Sequence, residues 1–158
     1  MNYAAVNSMF RGFAEAEHAY RDALDLRPDD YEARLGLALA LRGQLSSQNQ
    51  DRLLPEIQEH IERARKAAPG RPEADFNQAI VTAEVKAQQG DEERALLELK
   101  AAASLLRRFL QKAGDQPEYE ESVAKARERL DELEETIVAV EEGLLLKRAH
   151  EGASGGGP

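Results

Sequence analysis

Apolar positions along this chain recur at three and four residues, the period of a helix buried on one side. No stretch sustains the two-residue alternation of a half-buried strand. The periodic segments stop at breakers: Pro28-Asp29-Asp30, Gly43 with the Ser/Gln/Asn run after it, Pro69-Gly70-Arg71-Pro72, Gln89-Gly90-Asp91, and Gly114 to Pro117. Between them the pattern predicts helices at about 2–11, 14–27, 31–43, 54–67, 73–89, 91–113 and 117–148. The 26 alanines and 20 leucines, both strong helix formers, agree with an all-α chain. The glycine-rich 151–158 (GASGGGP from Gly152 on) reads as a flexible tail.

The last helix has the most regular pattern. Val123, Leu130, Ile137 and Leu144 repeat every seven residues, and Tyr119, Ala126, Leu133 and Val140 repeat at the same period, offset by three. Together they form an apolar seam on a helix that is otherwise acidic and packs on one side only. Two roles fit it: a cap on the end of the fold, or a seam for self-association. Before it, Leu105, Leu106, Phe109 and Leu110 extend the helix that starts at Asp91, so the two should pair antiparallel across the Gly114–Pro117 turn. The Leu144-Leu145-Leu146 run is too apolar for a free end and is expected to dock on the body or on a partner.

Composition narrows the function classes. The 158 residues, 42% hydrophobic, are enough for one domain, read as residues 1–150. No apolar run reaches the roughly 20 residues of a membrane span. No leader pattern opens the chain, which places it in the cytoplasm if Met1 is native; a fragment of a longer protein could belong to the periplasm or cell envelope. Without cysteine there is no disulfide scaffold or thiolate chemistry. The net charge of −9 disfavours nucleic acid. That charge is local: residues 1–114 carry 18 acidic and 16 basic side chains (−2), residues 115–142 carry 11 and 3 (−8), and the rest adds +1.

Catalytic and metal signatures are missing. His18, His60 and His150 fall on separate helices with no second ligand at i+4, and read as solvated helical residues. No GxGxxG, GxxxxGK[ST] or GxSxG is present. Carboxylate pairs such as Glu120-Glu121 and Glu134-Glu135 sit in a solvated run, with nothing apolar to raise one pKa for general acid work. The expectation is no enzyme, no cofactor and no metal.

Helices also come in similar pairs. In Phe13–Pro28, Ala16, Tyr20 and Ala23 share one face, small-large-small, and proline ends the helix; Asp29–Gly43 carries Leu35-Gly36 and Ala38 and ends in glycine. This alternation resembles the tetratricopeptide repeat (TPR), which runs from a Leu-Gly helix to an Ala-x3-aromatic helix closed by proline. Three degenerate repeats can be traced, about 2–28 (Ala4, Gly12, Phe13, Ala16, Tyr20, Ala23, Pro28), 31–69 (Leu35, Gly36, Gly43, Ala64, Pro69, with Ile61 in the aromatic slot) and 73–113 (Ala83, Gly90, Ala95, Ala102, with Leu99 in that slot). The second holds nine residues more than the pattern, and LSSQNQDRLLP reads as a surface loop. The first lacks about five residues at its start.

The resemblance implies a helix-turn-helix solenoid with a long C-terminal capping helix, binding a partner helix or extended peptide in a concave groove. Matched residue by residue, the lining would be Ala5, Met9, Ala33, Leu37, Leu41, Ile80, Glu84 and Gln88. Arg34 and Asn77 would be the remnants of a carboxylate clamp. The function implied is a non-catalytic adaptor, and the alanine- and arginine-rich usage is in keeping with a bacterial assembly or secretion system. Two alternatives stand beside it: a structural homo-oligomer joined through the C-terminal seam, and an acidic chaperone or regulator masking a basic partner.

Overall fold

A computed structural model describes the backbone of residues 3–154 and the side chains of residues 11–151. Among the described residues every regular element is helical: α1 (Tyr3–Leu26), α2 (Tyr31–Arg42), α3 (Gln50–Ala67), α4 (Glu73–Glu84), α5 (Glu92–Ala113) and α6 (Glu120–Ser154), with short 3-10 turns at Lys86–Gln88 and Pro117–Tyr119. The chain clusters into two compact units, residues 1–77 and 78–158, with the boundary inside α4.

In the first unit α2 packs on both α1 and α3. Asp30 caps α2, its carboxylate accepting from the Ala33 N–H at 2.9 Å. Two glycines of α2 and its end admit aromatic rings from α1. A Cβ on Gly36 would run into the Tyr20 ring, and one on Gly43 would lie 2.6 Å from the Phe13 ring. The pairings 20 with 36 and 13 with 43 run α1 and α2 antiparallel. With neighbours on both sides, α2 has almost no free face: Tyr31, Ala33, Leu35, Leu37, Ala38, Ala40 and Leu41 are all buried.

Three predicted boundaries move, each for a local reason. The break expected between residues 11 and 14 is absent, because a lone glycine costs a helix only about 1 kcal/mol against alanine and strong helix formers flank Gly12 on its C-terminal side. The helix predicted at 54 starts at Gln50 and takes in Pro55. Asn49 fixes that start: its amide oxygen accepts from Ser46 N at 2.8 Å and its Nδ2 donates to Gln44 O at 2.9 Å. Most of the supposed loop is therefore helix, and Leu53 and Leu54 are buried on it. The helix predicted to 89 ends at Glu84, and Lys86 in the following 3-10 turn pairs with Glu98 of α5 at 2.8 Å.

The second unit is dominated by α5 and α6, which pack along each other. Asp91 caps α5 through the Arg94 N–H at 2.8 Å. Gly114 ends α5 at φ 55°, a backbone region that favours glycine, and the chain turns there. Leu99, Ala102, Ala103, Leu106, Phe109 and Ala113 are buried on α5. On α6, Val123, Ala126, Leu133 and Leu144 are buried and Leu130, Ile137 and Val140 half-buried, and Tyr119 in the turn before it is half-buried too, so all eight seam positions turn inward. Tyr119 meets Phe109 edge-on, ring centroids 6.5 Å apart, at the turn. Where the helix was expected to give way to a tail after 148, α6 continues through Ser154.

Candidate interaction surfaces

Of the residues expected to line a groove, those on α2 are enclosed by its neighbours. Ala33, Arg34, Leu37 and Leu41 are buried, Leu37 and Leu41 to 1% exposure, because α2 is packed on both sides. Ile80 is half-buried on α4, Glu84 is exposed and pairs with Arg129 at 3.4 Å, and Gln88 lies off the helix in the 3-10 turn. Ala5 and Met9 lie on the α1 backbone, and their side chains fall outside the described residues.

The expected carboxylate clamp is occupied by internal contacts. Arg34 donates from Nε to Pro28 O at 2.8 Å and faces His60 Nδ1 at 3.0 Å from Nη1. Asn77 donates to Glu73 O at 2.9 Å, and its side-chain oxygen lies 3.5 Å from Arg42 Nη1.

His60, expected to be solvated, is 8% exposed. A guanidinium can only donate, so the Nδ1 that Arg34 faces must be the bare nitrogen and the ring proton sits on Nε2. Burial first, then the Arg34 charge, holds the imidazole below its ordinary pKa. His60 is one link in a polar chain through the first unit. Gln44 donates to Glu17 at 2.8 Å, Arg21 bridges Glu17 (2.8 Å) and Glu56 (2.7 Å), and Glu56 lies 3.9 Å from His60 Nε2. Burial raises the Glu17 carboxyl, but the hydrogen bonds from Gln44 and Arg21 outweigh it and hold the group below the usual range. The chain ties α1, the end of α2 and α3 together.

A second polar group anchors the turn into α4. The Arg71 guanidinium sits 4.0 Å over the Tyr31 ring, pairs with Glu73 at 2.7 Å and also reaches Glu32. Tyr31 donates to Glu73 at 3.1 Å, and burial followed by the Glu73 charge raises its phenol. Asp75, wholly buried, takes a hydrogen bond from Arg65 Nε at 3.1 Å. These contacts hold elements together and offer no open cleft. No cluster of three or more His, Asp or Glu side chains suited to a metal occurs among the described residues, and no described helix is long and apolar enough to cross a membrane.

One open surface lies along the α5–α6 pair. Three ion pairs cross it at seven-residue spacing: Glu93 with Arg148 (2.7 Å), Lys100 with Glu141 (2.5 Å) and Arg107 with Glu134 (2.6 Å). The last two of them flank a furrow of about 470 Å3, floored by Ala103, Ile137 and Val138. Leu97 lies four residues after Glu93 and three before Lys100, and Leu145 lies three before Arg148, so both belong to this same face. Leu97 is 69% exposed, Val138 53% and Leu145 65%. Of the Leu144–Leu146 run, only Leu144 docks, and Leu146 too stays exposed. The sequence reading passed over this face because it followed the buried seam. The spacing of residues 93, 100 and 107 against 134, 141 and 148 is the signal that could have shown it.

Compared with protein-family models, curated proteins and solved structures, the chain matches none.

Proposed function

We propose that this chain is a non-catalytic protein-interaction module whose docking face is the furrow between α5 and α6. The observation that carries this reading is the set of large apolar side chains, Leu97, Val138 and Leu145, left open to solvent between rungs of paired charge. Apolar anchors ringed by polar pairs are the composition of a specific interface: the anchors supply the energy and the charges set orientation. The partner surface that suits the furrow is helical, with apolar residues at three- and four-residue spacing.

The repeat character is part of the same proposal. Tyr20 wedged against Gly36, with Leu35 and Ala64 buried nearby in sequence terms, supports a TPR-like origin for residues 13–69. The role in keeping with it is that of an adaptor within a multiprotein assembly. The partner would be met on the α5–α6 face rather than on α2.

A photo-crosslinking residue at position 138 tests the reading in the native cell. Protein adducts are expected, and they should vanish when Leu97 and Leu145 are both aspartate. A complete lack of adducts, to any protein or to the chain itself, overturns it.

A further inference from the structure

We infer that the occupant of the furrow is a second copy of this chain, the two α5–α6 pairs stacking face to face as a four-helix bundle. The inference rests on the reading above and names the partner.

The argument starts from the arrangement of charge. Along the face, α5 presents Glu93, Leu97, Lys100 and Arg107; beside it α6 presents Arg148, Leu145, Glu141 and Glu134. Every rung therefore sets a cation next to an anion. A two-fold axis parallel to the helices lays α5 of one copy over α6 of the other without sliding either. Under that operation Lys100 comes over the partner's Glu141, Arg107 over the partner's Glu134, and Glu93 over the partner's Arg148. All three rungs are matched at once, and each match occurs twice because the interface is its own complement. Leu97 comes over the partner's Leu145 in the same movement, so the most exposed apolar side chains of the face cover one another. A two-fold axis across the helices would instead set Lys100 over Lys100.

Helix direction agrees with this operation. α5 and α6 run antiparallel, as the pairings 93–148, 100–141 and 107–134 require. The axis along the helices keeps each α5 antiparallel to both α6 neighbours, the packing of an up-down bundle.

The area suffices for a weak dimer. The 22 residues of α5 extend about 33 Å at 1.5 Å each. With two helices about 20 Å wide, the face is roughly 660 Å2 per copy and about 1,300 Å2 in all, near the lower limit for specific interfaces. The dimer should thus be concentration-dependent, with the apolar anchors deciding its strength and the rungs its orientation.

Sedimentation equilibrium of the whole chain, from low micromolar to several hundred micromolar, is the test. A monomer–dimer equilibrium is expected, and L97D with L145D should weaken it roughly tenfold or more without changing helix content, since both side chains face solvent. The decisive variant exchanges two rungs, K100E, E141K, R107E and E134R. Within one chain and within its own dimer every pair is restored, but a mixed dimer with the unmodified chain sets like charges over each other at four contacts. Same-type dimers should be preferred over mixed ones by roughly tenfold at low salt, and the preference should fade as salt is added.

A monomer at every concentration overturns the inference. So does a dimer that L97D with L145D leaves intact, or one that mixes freely with the exchanged variant, because either would use another face. A monomeric chain whose position 138 still crosslinks to proteins of other mass would sink the second copy alone and leave the interaction module standing. No crosslinks at all would sink both.

Discussion

The two units handle polarity in opposite ways. The first runs a partly buried chain of charge, Glu17, Arg21, Glu56, His60 and Arg34, between its helices. The second has an interior of Leu99, Ala102, Leu106, Phe109 and the α6 seam, and carries an exposed ladder of ion pairs along its α5–α6 edge. Inside, a polar link is costly to break, because the partner left behind stays desolvated. At the edge, water takes over when a pair is lost. The first unit is thus sensitive to chemistry and the second to geometry.

The largest effect should come from the α2 core. Leu37→Ala is expected to cost about 2–5 kcal/mol, read as a shift of the urea midpoint, whereas Leu97→Ala should stay within about 0.5 kcal/mol. Equal costs would erase the contrast between a wrapped helix and an open face.

Next comes Gly36→Ala. The added methyl meets the Tyr20 ring, so a loss of about 1–3 kcal/mol is expected despite alanine's better helix propensity. In a Tyr20→Val background the same change should turn neutral or stabilising. A penalty that persists there would place the clash elsewhere.

Acid should separate the two units. His60 has a lowered pKa in the folded state, so below its ordinary value of about 6.5 the unfolded chain binds the extra proton more readily. Stability is then fully present above about pH 6.5 and is lost as pH falls from there toward the folded pKa. The groups facing the ring set this response: Arg34 on α2 and Arg21 on α1 oppose protonation, while Glu56 and Glu59 on α3 favour it. Hydrogen exchange on α1–α3 should accelerate in acid, and His60→Gln should flatten the dependence. Parallel acceleration in α5 and α6 would break the distinction.

The smallest effects belong to the ladder. Lys100→Gln or Arg107→Gln should each cost at most about 1 kcal/mol, less in high salt. A larger or salt-insensitive loss would mean that the edge is not solvated as described.

Much of this was legible in the sequence, and the failures have a pattern. The all-helical class, the turn at Gly114 and the inward face of α6 follow from periodicity, since each is decided within one helix and its neighbour. Gly12 misled because a propensity of about 1 kcal/mol cannot stop a helix that other residues support. Residues 50–53 misled because the polar run holds its own start signal in Asn49, which reaches back to Gln44 and Ser46. The burial of Leu37, Leu41 and His60, each expected to be open, has a common reason. Whether one helix face is open depends on how many neighbours it acquires, and α2 and α3 together enclose positions that either alone would leave to water.

The order of charges on the ladder has a consequence for how the α5–α6 pair finds its alignment. Heptad seams tolerate slippage by seven residues, because apolar layers look alike to each other. Here α5 reads minus, plus, plus at 93, 100 and 107, against plus, minus, minus at 148, 141 and 134. Sliding one helix by a heptad in one direction sets Glu93 against Glu141; sliding it the other way sets Lys100 against Arg148. Each misalignment meets a like-charged rung, while the native one meets none. Six surface side chains thus proofread a seam that its own leucines and alanines could not.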